Sequence, residues 1–370
     1  MAVSQPVPPA YIQARWAALR TAMKHRRTPA MLISCYPDVS YLTGFEGDDS
    51  WAIITPEQVW LVSDFRYQEQ IAGQCPWVKP VIRRKGLAEE IFRILKKEGI
   101  SSVGVQSENV SIRQMSWLSK FAKKPRVRLI PVDDMVIELR NIKDDHETGL
   151  IEQAIAIAEH AFGTLKARLR VGMTENDIAG LLTYEMRKRG ASNSAFDPIV
   201  AAGANGSLPH YHPGPTKLSD HSALLVDWGA IFKGYRSDLT RMILVGNVDV
   251  KIKEIYRVVL DAQLAAIDAI KPGVSGAKVD QIARKIIARA GYGDHFGHGL
   301  GHGIGRDIHE QISLSKRGKT ILKPGMIITV EPGIYLPGIG GVRIEDDVLV
   351  TAGGCRVLSS LPKDMESARL

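Results

Sequence analysis

Four acids in the second half of this sequence stand where apolar strands should run. In SALLVDWGAIFKGYRSDLTR, residues 222–241, Asp227 closes the apolar run LLV, and Asp238 falls inside the strand pattern that follows a turn at Gly229, Lys233 and Gly234. ITVEPGIY puts Glu331 at the end of another apolar run, and GGVRIEDDVLV puts Glu345 between Ile344 and a Val/Leu strand. Between these pairs, FGHGLGHGIGRDIHE sets His298, His302 and His309 among glycines that let backbone and ligand approach closely. A buried carboxylate is costly without a cationic partner, and neighbouring carboxylates repel, so such a set calls for basic groups or metal ions. Two Asp, one His and two Glu would hold two divalent cations roughly 3.5–4 Å apart with a hydroxide between them, the arrangement of two-metal hydrolases. Ligation mostly by oxygen favours Mn²⁺, with Co²⁺ and Zn²⁺ as alternatives.

Taken singly, each residue has a plainer role. An Asp before Gly is usually a turn residue, His298 and His302 could be satisfied by backbone carbonyls in a Gly-rich loop, and Glu331 before Pro332 could simply end a strand. Asp346 or Asp347 could replace Glu345 as a ligand, although strand alternation puts Arg343, Glu345 and Asp347 on one face. Only their joint occurrence in one stretch of chain argues for a shared site.

The elements that must position these residues can be read from periodicity. Residues up to about 140 alternate strand patterns (AMLISC, SWAIITP, QVWLVSD, WVKPVI, SSVGVQ, VRLIPV) with helical ones (FRYQEQIAG, LAEEIFRILKKEG, SIRQMSWLSKFAKK), an α/β arrangement. YPDVSYLTGFEGDDSW reads as an acidic, aromatic loop between the first two strands. A charged turn at Lys143 to His146 precedes a long amphipathic helix with Leu150, Ala154, Ile157 and Ala161 on its apolar face, so a second domain starts near Lys143. Thr174 caps the next helix with Asp177 three residues on, and that helix stops near Gly190. KIKEIYRVVLDAQLAAIDAI and KVDQIARKIIARAG are two further helices whose apolar stripes read as core. The expected result is a sheet backed by helices on one face, with the acid-bearing strand ends directed into the open face.

VDWGA with YRSDLTR, GLGHGIG with a downstream HE, VEPGIY and VRIEDDVLVT resemble, in order and spacing, the motifs of the pita-bread metallopeptidases, specifically the prolidase and aminopeptidase P branch. The resemblance covers residues 145–355 strongly and the N-terminal part loosely. It implies a creatinase-like α/β domain over 1–142 followed by an α+β pita-bread (creatinase/aminopeptidase) catalytic domain over 143–370. It further implies Asp227, Asp238, His302, Glu331 and Glu345 as ligands of two divalent ions, with Asp238 and Glu345 bridging both. Glu331 would act as general base and acid, and His298 and His309 would contact the scissile carbonyl and its tetrahedral intermediate. His210, in GANGSLPHYHPGP, and Arg343 would stand on the substrate side, as His298 also would. The implied substrate is a peptide with proline at the second position, cut by an Xaa-Pro aminopeptidase or an Xaa-Pro dipeptidase, and the implied assembly is a homo-oligomer, a dimer. A methionine aminopeptidase fits less well because of the extra domain in front, and a creatinase-like amidinohydrolase should lack metal ligands that stand here. A noncatalytic binding or scaffolding protein on the same fold is the alternative from a different class.

Composition sets the outer bounds. A chain of 370 residues with 45% hydrophobic and 24% charged residues suits two well-buried domains. MAVSQPVPPAYIQARW has no apolar core of signal-peptide length, and no run approaches the ~18 apolar residues of a membrane span, so a cytoplasmic protein is expected. Cys35, Cys75 and Cys355 are scattered, which supports neither a disulfide framework nor a cysteine metal site. The net charge of +8 gathers at Lys24–Arg27, Arg83–Lys85 and Lys123–Arg128, but no nucleic-acid module accompanies it and nucleic acid is not an expected partner.

Overall fold

The computed structural model describes residues 6–370, so the first five residues of the N-terminal stretch lie outside the described residues. The chain divides into two compact units, Met1–Arg140 and Asn141–Leu370.

The first unit contains helices α1 (Ala10–His25), α2 (Tyr36–Thr43), α3 (Gln68–Gln74), α4 (Leu87–Lys97), α5 (Ile112–Ala122) and α6 (Met135–Arg140). Its strands are β1 (Met31–Ile33), β2 (Trp51–Ile54), β3 (Val59–Ser63), β4 (Lys79–Ile82), β5 (Ser102–Gln106) and β6 (Arg128–Val132), joined in the order β4-β3-β2-β1-β5-β6. Every apolar run read as a strand is one. Period-2 alternation divides the side chains between two cores: Met31 and Ile33 meet Leu19 and Leu42, while Leu32 meets Ile91, Leu95 and Leu118. The stretch read as a loop between the first two strands is instead half helix. Pro37 lies in the first turn of α2, and Gly44 ends it in the left-handed conformation at φ 80°. These turn-forming residues mark the helix boundaries, which is why they read as a loop. Helix α1, which no sequence pattern announced, buries Ile12, Leu19 and Met23.

The second unit adds helices α7 (Asp145–Arg168), α8 (Glu175–Lys188), α9 (Val250–Asp268) and α10 (Gly276–Arg289). Its strands are β7 (Asn193–Ser194), β8 (Ile199–Ala202), β9 (Ala223–Trp228), β10 (Ala230–Phe232), β11 (Tyr235–Arg236), β12 (Leu239–Leu244), β13 (Gly301–Gly303), β14 (Glu310–Leu314), β15 (Ile327–Val330), β16 (Gly333–Leu336), β17 (Gly340–Arg343), β18 (Asp346–Val350) and β19 (Cys355–Val357). Capping boxes at Asp144/Glu147 and Thr174/Asp177 start α7 and α8. Two sheets matter for the site, β12-β9-β8 and β14-β13-β15-β18-β19. An antiparallel bridge between Thr240 and Glu345 links them. Helices do not back one face alone. Leu224, Val226 and Trp228 of β9 pack into the core that holds α7 and α8 residues, whereas Ala223 and Leu225 belong to the core with α9 and α10 residues. The strand is therefore buried throughout. Asp227 has the parity of Leu225 and lies near the strand's end.

Candidate active site

The two aspartates come together through strand pairing. β9 and β12 run antiparallel with Asp227 opposite Thr240 and Trp228 opposite Leu239. Asp238 lies in the break between β11 and β12 rather than inside a strand, because β11 pairs with β10 and β12 with β9. Gly229 makes this crossover possible: a Cβ there would stand 1.8 Å from the Ser237 carbonyl oxygen. Glu331 directly follows β15, and Glu345 sits between β17 and β18, opposite Thr240. His302 is on β13, whose pairing with β14 is irregular between His302 and Gly303.

All the residues singled out in the sequence line one cavity of about 540 Å³: Asp227, Asp238, His302, Glu331 and Glu345, with His210, His298, His309 and Arg343. Asp238, His302 and Glu345 each offer a ligand atom within 4.8 Å of the others. His302 Nε2 is 3.5 Å from Asp238 Oδ2 and 3.4 Å from Glu331 Oε1. Its Nδ1 lies 3.1 Å from the Gly303 carbonyl, so a proton on Nδ1 leaves the Nε2 lone pair facing the acids. Burial holds His302 down to about 4, keeping the ring neutral as a metal ligand must be.

The acids are held in an unusually unfavourable place for negative charge. Burial, then Glu345 and Asp227, pushes Asp238 well above the carboxylate range. Glu345 is raised by burial and by Glu331. Burial pushes Glu331 up to about 8 and also raises Asp227. Asp227 Oδ1 is buried with no hydrogen-bond partner, while Oδ2 accepts from Arg343 Nη2 at 2.6 Å. Glu345 Oε2 accepts from Thr240 Oγ1 at 2.6 Å. A cluster of four carboxylates and a neutral imidazole, with one carboxylate oxygen orphaned, fits divalent cations well: they would offset the mutual repulsion and supply the missing partner.

The neighbours left open in the sequence separate cleanly. Asp346 turns away from the cavity and takes hydrogen bonds from Arg241, Gln263, Ser359 and Lys363. Asp347 Oδ2 accepts the Asp238 backbone N–H at 3.0 Å and so holds the Asp238 backbone in place. Tyr335 escaped the sequence reading, although it ends the VEPGIY motif. Arg343 Nη1 donates to its hydroxyl at 2.9 Å, the hydroxyl is 2.8 Å from His298 Nε2, and His298 Nδ1 is 2.7 Å from the Gly299 carbonyl. Burial lowers His298 to about 4, so the ring is neutral, and this chain of hydrogen bonds orients it. Burial lifts the Tyr335 phenol to about 12. His309 packs edge-on against His302 with ring centroids 4.3 Å apart. His210 is exposed at the cavity wall.

Comparison with known proteins gives this geometry a family. The model of metallopeptidase family M24 matches residues 149–352, and that of the creatinase/prolidase N-terminal domain matches residues 15–142. The chain is 37% identical over 339 residues to the Xaa-Pro dipeptidase of Pyrococcus horikoshii, covering 91% of this chain and 94% of that one. Among solved structures, it resembles the Xaa-Pro dipeptidase from Bacillus anthracis with a TM-score of 0.91 and 37% identity, over 95% of this chain and 99% of that one. It also resembles the X-Pro aminopeptidase from Thermotoga maritima, with a TM-score of 0.87 and 34% identity over 93% and 99% of the two chains. With a creatinase-type α/β domain in front of a pita-bread catalytic domain, this chain belongs to metallopeptidase family M24.

Proposed function

We propose that this metallopeptidase hydrolyses Xaa-Pro bonds in peptides, with Asp227, Asp238, His302, Glu331 and Glu345 holding two divalent metal ions, Mn²⁺ before Co²⁺ or Zn²⁺. One observation carries the reading: these five side chains, from four separate stretches of sequence, line a single cavity together with His210, His298, His309 and Arg343. Such ions, when bound, lower the pKa of a water molecule and polarise a peptide carbonyl. Glu331 takes the proton of the attacking water and returns it to the leaving nitrogen, as general base and then acid. His309 donates a hydrogen bond to the oxygen on which negative charge develops. His298, kept neutral by burial and oriented by Tyr335 and Gly299, and His210 line the pocket for the residue after the cleaved bond. A proline there has no N–H to satisfy, so a close-fitting wall selects it by shape.

Within this class, the engagement of Arg343 favours the aminopeptidase over the dipeptidase. Its guanidinium already donates to Thr240, Tyr335 and Asp227, whereas a dipeptidase must hold the product's carboxylate inside the pocket. The chain's relatives carry both names, so the substrate decides. With Mn²⁺ or Co²⁺ supplied, Ala-Pro-Ala-Ala is expected to be cut between Ala and Pro faster than the dipeptide Ala-Pro. Preference for Ala-Pro would make the protein a dipeptidase, and no turnover of any Xaa-Pro peptide with either metal would remove the assignment. A cytoplasmic homodimer is the form in which we expect it to act, and light scattering of the purified protein checks the assembly.

A further inference from the structure

Outside the ligand set, the second unit buries another carboxylate with an unusual set of partners. Glu175, the first residue of α8, is fully buried. Its Oε1 accepts the Ala202 N–H at 2.8 Å and Asn205 Nδ2 at 2.9 Å. Its Oε2 accepts the Tyr211 hydroxyl at 2.9 Å and the Gly214 N–H at 3.0 Å. The helix N-terminus adds partial positive charge, and together these donors offset the cost of burying the anion. The backbone repeats the connection, since the Glu175 N–H donates to the Thr216 carbonyl and the Asn176 N–H to the Gly214 carbonyl.

The donors share a location. Ala202 ends β8, Asn205 lies in the following turn, and Tyr211 and Gly214 belong to the irregular segment, residues 208–214, that returns toward α8. His210 stands inside that segment, and Pro209, His210 and Tyr211 line the cavity. No strand ladder fixes residues 208–214. One carboxylate therefore gathers the start, middle and end of the loop on which a wall of the pocket depends.

We propose that Glu175 is a positioning residue for the peptide pocket, holding the 202–216 loop so that His210 faces the substrate. This rests on the reading of His210 as a substrate-side group. Glu175→Gln keeps the shape but turns an amide N–H₂ toward the Gly214 N–H. An unsatisfied buried donor of this kind is expected to raise KM for an Xaa-Pro peptide about tenfold, with kcat changed less than about threefold. In a His210→Ala background, the same substitution should add less than about a twofold further change, since coupled residues are not additive. Glu185→Gln is the control: Glu185 is buried on the same helix but pairs with Arg168 and Arg189. It should lower the melting temperature and leave KM unchanged. A folded Glu175→Gln protein with wild-type KM, or an effect fully additive with His210→Ala, overturns the proposal. Should Glu175→Gln not fold, Asn205→Ala removes one of the donors, from a residue outside the cavity wall, and must show a smaller KM increase with the same dependence on His210. Amide hydrogen exchange separates this proposal from the peptidase reading. Loss of protection confined to residues 203–214 is expected in Glu175→Gln even if no peptide is turned over, and unchanged protection there sinks it.

Discussion

Asp227 belongs both to the frame of the fold and to the proposed metal site. Its Oδ2 is committed to Arg343 at 2.6 Å, while its Oδ1 is buried without a hydrogen-bond partner. Glu331 is placed differently, since Thr329 Oγ1 at 3.3 Å is its hydrogen-bonding neighbour and His302 Nε2 stands 3.4 Å away. Little of the fold leans on its charge, so Glu331→Gln should leave the melting temperature of the metal-free protein unchanged. Losing the group that carries the proton should lower kcat by about 10²–10⁴. Peptide turnover measured alongside circular dichroism checks both halves, and turnover near the wild-type rate would reject Glu331 as base and acid. Arg343→Ala tests the structural side of the same pair. It leaves the Asp227 charge buried and unpaired, which typically costs about 3–5 kcal/mol, so a large fall in melting temperature is expected.

At the scale of elements, what the sequence reveals and what it hides have a common cause. Apolar runs announce the strands of the first unit, and helical periods with their caps announce α7 and α8, because strands buried on both faces read as continuous apolar stretches and caps are local hydrogen bonds. Asp227, Asp238, Glu331 and Glu345 are legible as acids that break apolar runs. Their meeting place is not legible, because it depends on pairings such as Thr240 with Glu345, which no local period encodes. Glu175 looks like any first-turn acid and Tyr335 like any strand aromatic until the partners across the fold are known. The crossover between β9 and β12 carries the sharpest element-level test. A methyl group at Gly229 would collide with the Ser237 carbonyl, so Gly229→Ala should force the hairpin apart and cost about 1–3 kcal/mol or more. It should also weaken divalent-cation binding, since Asp227 and Asp238 stand beside this close approach of the two chains. Gly353→Ala, with nothing within 4 Å of its added methyl, should change neither property. Equal melting temperatures for the two variants would show that the close approach does not constrain the hairpin.

For the whole molecule, the balance of charge sets the terms on which metal and folding are linked. Among the described residues, buried Asp and Glu outnumber buried Lys and Arg by twelve to six, so the surface is more basic than the net charge of +8 alone indicates. Much of that buried excess is concentrated around the cavity. The proposed ligands at 227, 238, 302, 331 and 345 lie in or beside five different strands, and an unfolded chain cannot bring them together. Divalent cations held there would therefore bind the folded form in preference, and each ion, at a concentration of 100 Kd, would contribute about 2.7 kcal/mol to its stability. For a unit of this size that corresponds to a rise of roughly 5–10 °C in melting temperature. Calorimetry of chelator-treated protein, with Mn²⁺, Co²⁺ or Zn²⁺ then added, should show this rise. Asp238→Asn should abolish most of it, because that carboxylate lies within ligand distance of His302 and Glu345. A rise of the same size in Asp238→Asn would place the cation elsewhere on the protein, and no rise in the parent with any of the three metals would dissolve the link between this acid cluster and metal.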